Sequence, residues 1–409
     1  MAADPTPDTA PDPTPDYPFD RETTLEPPHA WAELRERCPV AHVRLPSGDE
    51  AALLTRYDSV RSVLADPRFT RTGDGAARIA TTDDGGIFLR DSPLATHGPE
   101  HLQWRRLLTR WFTARKIEEW RPRVQAMADD LADGLIAGGS PGNLSADFAL
   151  PLPVRVICAL VGAPDKDQDK FAHWSGVMLT LTRYTQAEVD AAYRDFNGYV
   201  TDLVERRRAD PGDDLLSELT RVSDSGDGRL DTPQLVATVR GILLAGHETT
   251  SNMISIMAAL LLSERSRFEA VVADPALTAN TVEEVLRMDT TLGVVGVPRF
   301  ITEDIEVAGV TVPAGTTVLP NNAAANRDPR KFPDPDRFDE KRENSAQHLT
   351  FGAGAHFCVG QPLARMELQV ALGTLARRLP ALRLRDGADA LKLRTGGMTG
   401  GLQDIWVTW

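Results

Sequence analysis

Cysteine is scarce: Cys38, Cys158 and Cys358 are the only three in 409 residues. None forms a Cys-x-x-Cys pair, which excludes a disulfide framework and a zinc ribbon and fits a reducing cytosol. Positive charge is in deficit, with 45 Lys and Arg against 59 Asp and Glu; the formal charge of −14 argues against nucleic acid as a partner. No uncharged apolar run approaches the roughly 20 residues of a membrane span. Residues 1–20 lack both a basic start and an apolar core, so they are neither a signal peptide nor an anchor. Their Pro, Asp, Thr and Ala cannot bury enough surface to order themselves, and a disordered tail is expected before one domain, 21–409. These absences describe a soluble, cytoplasmic chain.

Helical periodicity dominates what is there, so the expected fold is mainly α with a small β region. Strands are read at 41–45 and 50–55, and a hairpin over 305–319. Regularity fails from 69 to 94, where an apolar group, Ile87-Phe88-Leu89, suggests a binding loop. Pro99 opens a helix whose buried stripe is Trp104, Leu107, Leu108 and Trp111. His101 and Arg105 lie four apart on one face, where they read either as a solvated basic face or as a carboxylate site. Segments 166–182 and 186–208 form a helix pair. A turn at 226–228 follows it.

Asp231-Thr232-Pro233 starts a helix that is apolar nearly all round to about residue 262, so it should cross the protein's centre. Ala245-Gly246-His247-Glu248-Thr249-Thr250 interrupts it. A zinc-protease motif is excluded, because its second histidine would fall at Ser251. Threonine hydroxyls bonding back to helix carbonyls would be the ordinary explanation.

Residues 351–360 read Phe-Gly-Ala-Gly-Ala-His-Phe-Cys-Val-Gly and lead into a helical pattern over 361–378. Glycines allow tight turns and close approach to a flat object. A cysteine near a helix N-terminus is biased toward thiolate, which suits ligation of a haem iron. Alone, Cys358 would read as a cysteine in a turn. With Phe351, Gly352, Gly354, His356 and Gly360 also in place, the loop resembles the haem-binding loop of the cytochrome P450 family.

That resemblance extends over residues 25 to 409. It implies a cytochrome P450 fold, a single triangular domain enclosing haem b with Cys358 as axial ligand. His101, Arg105, Arg299 and His356 would hold the haem, with Phe351 and Gly360 in the loop and Ala245 on the opposite side. Thr96-His97-Gly98 departs from the Asp-Pro common there and is given no role. The segment 245–250 resembles the family's oxygen-activation motif. Thr249 would hydrogen-bond dioxygen, Glu248 would relay protons, and Ala245 with Gly246 would leave room. Glu284 and Arg287 would join Arg337 behind the haem. Phe88, Leu89, Leu244, Ala245, Val294, Val295 and Met398 would line the substrate pocket, with Arg90 and Thr399 as polar contacts.

The implied activity is a haem-thiolate monooxygenase acting on a small organic substrate, as in natural-product tailoring. No flavin or iron–sulfur module is present in the sequence, so a ferredoxin and ferredoxin reductase are expected as electron donors to a monomer. Arg105, Arg106, Arg110, Arg115 and Lys116 form the expected docking cluster. Oxidative coupling of aromatic rings is the alternative reaction, and a haem sensor or electron carrier the alternative class. The Glu248–Thr249 pair counts against the latter, since neither task needs proton delivery.

Overall fold

The computed structural model describes residues 14–71, 73–82, 96–225, 230–291 and 296–409. In its first half the chain forms α1 (His29–Arg37), β1 (Ala41–Arg44), β2 (Glu50–Leu54), α2 (Tyr57–Ala65), α3 (Gly98–Thr109) and α4 (Ala114–Gly138). There follow β3 (Gly142–Asn143), α5 (Pro151–Val161), α6 (Gln168–Met178), α7 (Gln186–Ala209) and α8 (Leu215–Asp224). The long α9 (Thr232–Ser263) precedes α10 (Arg265–Ala273), α11 (Thr278–Met288), β4 (Arg299–Phe300), β5 (Ile305–Val307) and β6 (Val310–Val312). Last come β7 (Thr317–Pro320), α12 (Asn322–Ala325), α13 (Gln361–Arg378), β8 (Arg383–Leu384), β9 (Leu393–Arg394), β10 (Gly401–Leu402) and β11 (Trp406–Thr408). The expected turn at 226–228 lies outside the described residues.

Helix α9 is the axis. Asp231 and Gln234 close a capping box at its start, satisfying otherwise orphaned amides, and Pro233 lies in the first turn. Its apolar faces meet α5, α7 and α13 in one continuous core, which α4 completes. A helix apolar on all sides can only be stable in such a position. Among the described residues no helix is long and apolar enough to cross a membrane.

The main sheet has the order β1-β2-β7-β4, with β2 and β7 parallel and the other pairs antiparallel. The expected single hairpin over 305–319 is therefore corrected. Strands β5 and β6 turn at Ala308 and Gly309, both with positive φ, whereas β7 leaves to join β2. A two-residue turn of positive φ matches strand twist, so pairing closes there rather than at 312–315.

The boundary expected at residue 20 is also overturned. Tyr17 is buried, its N–H donates to Arg44 O at 2.7 Å, and its hydroxyl accepts from Asn321 at 3.1 Å. One aromatic ring seated in the core anchors a stretch that composition alone reads as tail.

Glu284 and Arg287 are fully buried and paired at 2.8 Å through both guanidinium arms. Their third member is Arg342, whose Nε donates to Glu284 Oε1 at 3.0 Å, and not the expected Arg337. Arg337 is 64% exposed and pairs with Asp339. Arg342 also donates to the carbonyls of Pro333, Asp334 and Arg337, so that all three of its guanidinium nitrogens are engaged. Removing one partner of a buried charge pair leaves the other uncompensated. Arg342→Ala should therefore lower unfolding free energy by about 3 kcal/mol in urea titrations, while Arg337→Ala should change it by less than about 1 kcal/mol.

Candidate functional site

The glycines of the cysteine loop have specific steric duties. Gly352 and Gly354 hold φ of 75° and 70°. At Gly354 a Cβ would lie 2.6 Å from Leu64 O and 2.7 Å from the Ala65 Cα, so the loop seats against the end of α2 only because that atom is missing. Cys358 N–H closes the loop onto Phe351 O at 2.9 Å. The start of α13 lies against the Cys358 sulfur, which would be 4.0 Å from a Cβ on Gly360, so the amides of Gly360 and Gln361 favour its thiolate form. Burial raises the thiol above its usual range, while these amides and the charges of Arg105 and Arg365 pull it back. Cys358 is nevertheless exposed in this structure. Arg365 braces the loop by covering the Phe351 ring at 4.6 Å and forking onto Glu283.

Beside the loop the fold gathers positive groups from distant segments. His101, 1% exposed, lies 4.0 Å from the His356 ring centre and 3.2 Å from Ala355 O. Arg105 donates to Phe357 O, and Arg299 to Val297 O and Pro298 O. Those partners are carbonyls, which carry no net negative charge. Burial pulls Arg299 down to about 10 and lowers Arg105 as well.

Two further members, His97 and Arg71, are not marked by any motif in the sequence. His97 Nε2 accepts the Arg71 backbone N–H at 2.6 Å, and its Nδ1 faces His356 Nε2 at 3.3 Å. Burial, then repulsion by Arg299 and Arg105, brings Arg71 down to about 9. Burial and the nearby arginines bring His97 to about 4 and His356 to about 2. His356 Nδ1 is buried with no hydrogen-bond partner among the described residues. The departure from the Asp-Pro pattern is the one signal that could have flagged His97. Arg71 sits in a segment of failed periodicity and carries no local signal.

On α9 the interrupted segment separates into distinct roles. Ala245 is exposed although its neighbours on the helix are mostly buried, so space opens against it. Leu244 is 1% exposed and belongs to the main core; one residue turns the helix by about 100°, and the expected pocket role is corrected. Gly246 is corrected too. A Cβ there would lie 2.7 Å from Ile157 Cδ1, so this glycine makes room for α5. His247 Nδ1 donates to Leu243 O at 2.7 Å, and its Nε2 lies 3.1 Å from Ser175 Oγ on α6. Burial lowers its pKa, consistent with a neutral ring.

Thr249 Oγ1 donates back to Ala245 O at 2.8 Å. Glu248 Oε1 accepts from Thr399 Oγ1 at 2.7 Å, while Oε2 is buried without a partner among the described residues. Thr399 is thus engaged with the acid, where a substrate contact was expected. Its turn is pinned on both sides: Met398 N–H donates to Leu179 O just after α6, and Gly400 N–H to Thr291 O. Phe88, Leu89, Arg90, Val294 and Val295 lie outside the described residues.

A profile of the family described as Cytochrome P450 matches residues 166–393. The chain is 41% identical over 398 residues to the mycinamicin IV hydroxylase/epoxidase of Micromonospora griseorubida, covering 96% of this chain and 98% of that protein. The chain belongs to the cytochrome P450 family. It is also similar to 6-deoxyerythronolide B hydroxylase of Saccharopolyspora erythraea, 38% identical over 388 residues, with 92% and 94% covered. The crystal structure of the LnmA cytochrome P450 hydroxylase from the leinamycin pathway of Streptomyces atroolivaceus superposes with a TM-score of 0.87. It is 41% identical, with 97% of this chain and 100% of that one covered. The protein is a monooxygenase of the P450 class, and membership implies a haem-thiolate cofactor.

The residues present fit such a group. Haem brings a metal that takes a thiolate and two carboxylates that take cationic donors. The P450 chain offers a sulfur beside the start of α13, the buried guanidinium of Arg299 and the half-buried one of Arg105, both bonded only to carbonyls among the described residues, and an imidazole nitrogen with no partner among them.

Proposed function

We propose that the chain is a tailoring monooxygenase of secondary metabolism that carries haem b on Cys358. The placement of Cys358 against the start of α13, beside Arg105 and the buried Arg71 and Arg299, carries this reading. When bound, haem with a thiolate ligand supplies the reduction and cleavage of dioxygen. The protein residues position, exclude water and move protons. Arg105, Arg299, His101 and His356 anchor the propionates, and the Gly360 and Gln361 amides favour the anionic form of the sulfur against the effect of burial. Relatives named as a mycinamicin IV hydroxylase/epoxidase and a 6-deoxyerythronolide B hydroxylase support an elaborated secondary metabolite as substrate. Ala245 and Met398 are its proposed neighbours among the described residues.

Glu248 moves the proton. Thr399 holds Oε1, leaving the unpaired Oε2 as the atom that gains and loses it. The Thr249 hydroxyl, at rest on Ala245 O, delivers that proton into the space beside Ala245 by rotating about its side-chain bond. Electrons come from a ferredoxin and its reductase to a cytoplasmic monomer. Arg106, Arg110, Arg115 and Lys116 are exposed and form the docking patch, whereas Arg105 is turned inward onto Phe357 O.

Three measurements test these assignments. The reduced carbon monoxide complex should absorb near ~450 nm, the mark of a cysteine-ligated haem. Cys358→Ser should lose the band while Cys38→Ser and Cys158→Ser keep it; a retained band in Cys358→Ser removes the assignment. Thr249→Ala should keep the band but divert reducing equivalents to hydrogen peroxide, and Glu248→Gln should slow turnover by about 10². Unchanged product per electron in Thr249→Ala would refute its role. Reduction by ferredoxin should slow with rising ionic strength and with Arg110→Glu, because the steering charges are exposed and screened.

A further inference from the structure

The proton on each ring of the His97–His356 pair can be assigned from hydrogen bonding alone. A backbone N–H only donates. His97 Nε2, 2.6 Å from the Arg71 nitrogen, must therefore accept and carries no proton. The proton of that ring is on Nδ1, which faces His356 Nε2 at 3.3 Å and donates to it. His356 Nε2 accepts, so the His356 proton resides on Nδ1. That atom is buried and has no hydrogen-bond partner among the described residues. The chain of bonds begins at a main-chain amide, which cannot change its sense, and ends at a donor with nothing yet to receive it.

We propose that His97 is a positioning residue for the haem propionates, acting through His356 and Arg71. It locks His356 in the tautomer that presents Nδ1–H, and it fixes the Arg71 backbone beside Arg105 and Arg299. The opposite tautomer would present a lone pair to a carboxylate and repel it. The rings meet edge to face with centroids 5.1 Å apart, and the His101 ring packs tilted against His356 at 4.0 Å, so rotation of His356 is hindered as well. Residues 71, 97 and 356 are brought together from three separate segments. The inference rests on haem being the bound group, and it concerns a residue, His97, to which the proposed function assigns no propionate contact.

The test uses the full holoprotein and two readouts, transfer of haem to apomyoglobin and the midpoint potential. His97→Phe keeps a ring and removes both nitrogens. It should release haem about tenfold faster, the size expected for losing one charge-assisted hydrogen bond. Its potential should move to more negative values, because a less compensated propionate favours ferric over ferrous iron. His97→Gln retains an acceptor and a donor and should lie nearer the wild type than His97→Phe on both readouts. In a His356→Phe background, His97→Phe should have a markedly smaller effect, since its main target is gone. A His97→Phe protein matching the wild type on both readouts overturns the proposal; so does His97→Gln matching His97→Phe, or full additivity with His356→Phe. The carbon monoxide band separates the failures: without it in the wild type the haem reading falls too, and with it present only the role of His97 does.

Discussion

Buried positive charge is the constraint on which this structure depends. An isolated charge away from water is costly unless an opposite charge or a full set of hydrogen bonds meets it. Glu284 shows one solution, pairing with Arg287 and Arg342 so that the charges are met within the protein. The group around His356 shows the other. Arg105 and Arg299 have carbonyls for partners, and His356 has an unused nitrogen among the described residues. The polypeptide is thus complete on one side of the cysteine loop and incomplete on the other. The haem-thiolate cofactor that membership of the family implies would bring the opposite charge.

Rigidity surrounds that cluster for the same reason. The loop is closed by its own backbone bond, braced by Arg365 over Phe351, and seated on α2 where Gly354 admits it. Side chains held this way cannot relax apart: burial alone lowers the pKa of Arg299, and burial with repulsion by neighbouring charges lowers those of Arg71, His97 and His356, which leaves the two histidines neutral. The acid on α9 is treated differently. Glu248 is tied by one bond to a turn that also contacts the end of α6. That single tie leaves its second carboxylate oxygen buried without a partner among the described residues.

Two histidines show how neighbours decide function. His247 belongs to no zinc-protease motif, because Ser251 stands where a second ligand would be; in the fold it bonds to Leu243 O and faces Ser175. His97 departs from the pattern common at its position, yet it links Arg71 to His356. Neither role is visible from helix periodicity, because both depend on a residue more than 25 positions away in the chain.

What the sequence determined by itself was local in kind. Apolar periodicity, caps and breakers place α3, α9 and α13, since those signals act over a few residues, and the spacing of Phe351 to Gly360 marks the cysteine loop. Composition is a poorer guide at Tyr17, whose anchoring needs β1 and Asn321. Tertiary structure alone decided which arginine completes the Glu284 pair, which side of α9 Gly246 faces, and what Thr399 holds. Those outcomes turn on ångström-scale proximity between segments 58 to 151 residues apart. A helix pattern specifies which face is apolar; only packing specifies what that face, and each polar atom on it, will meet.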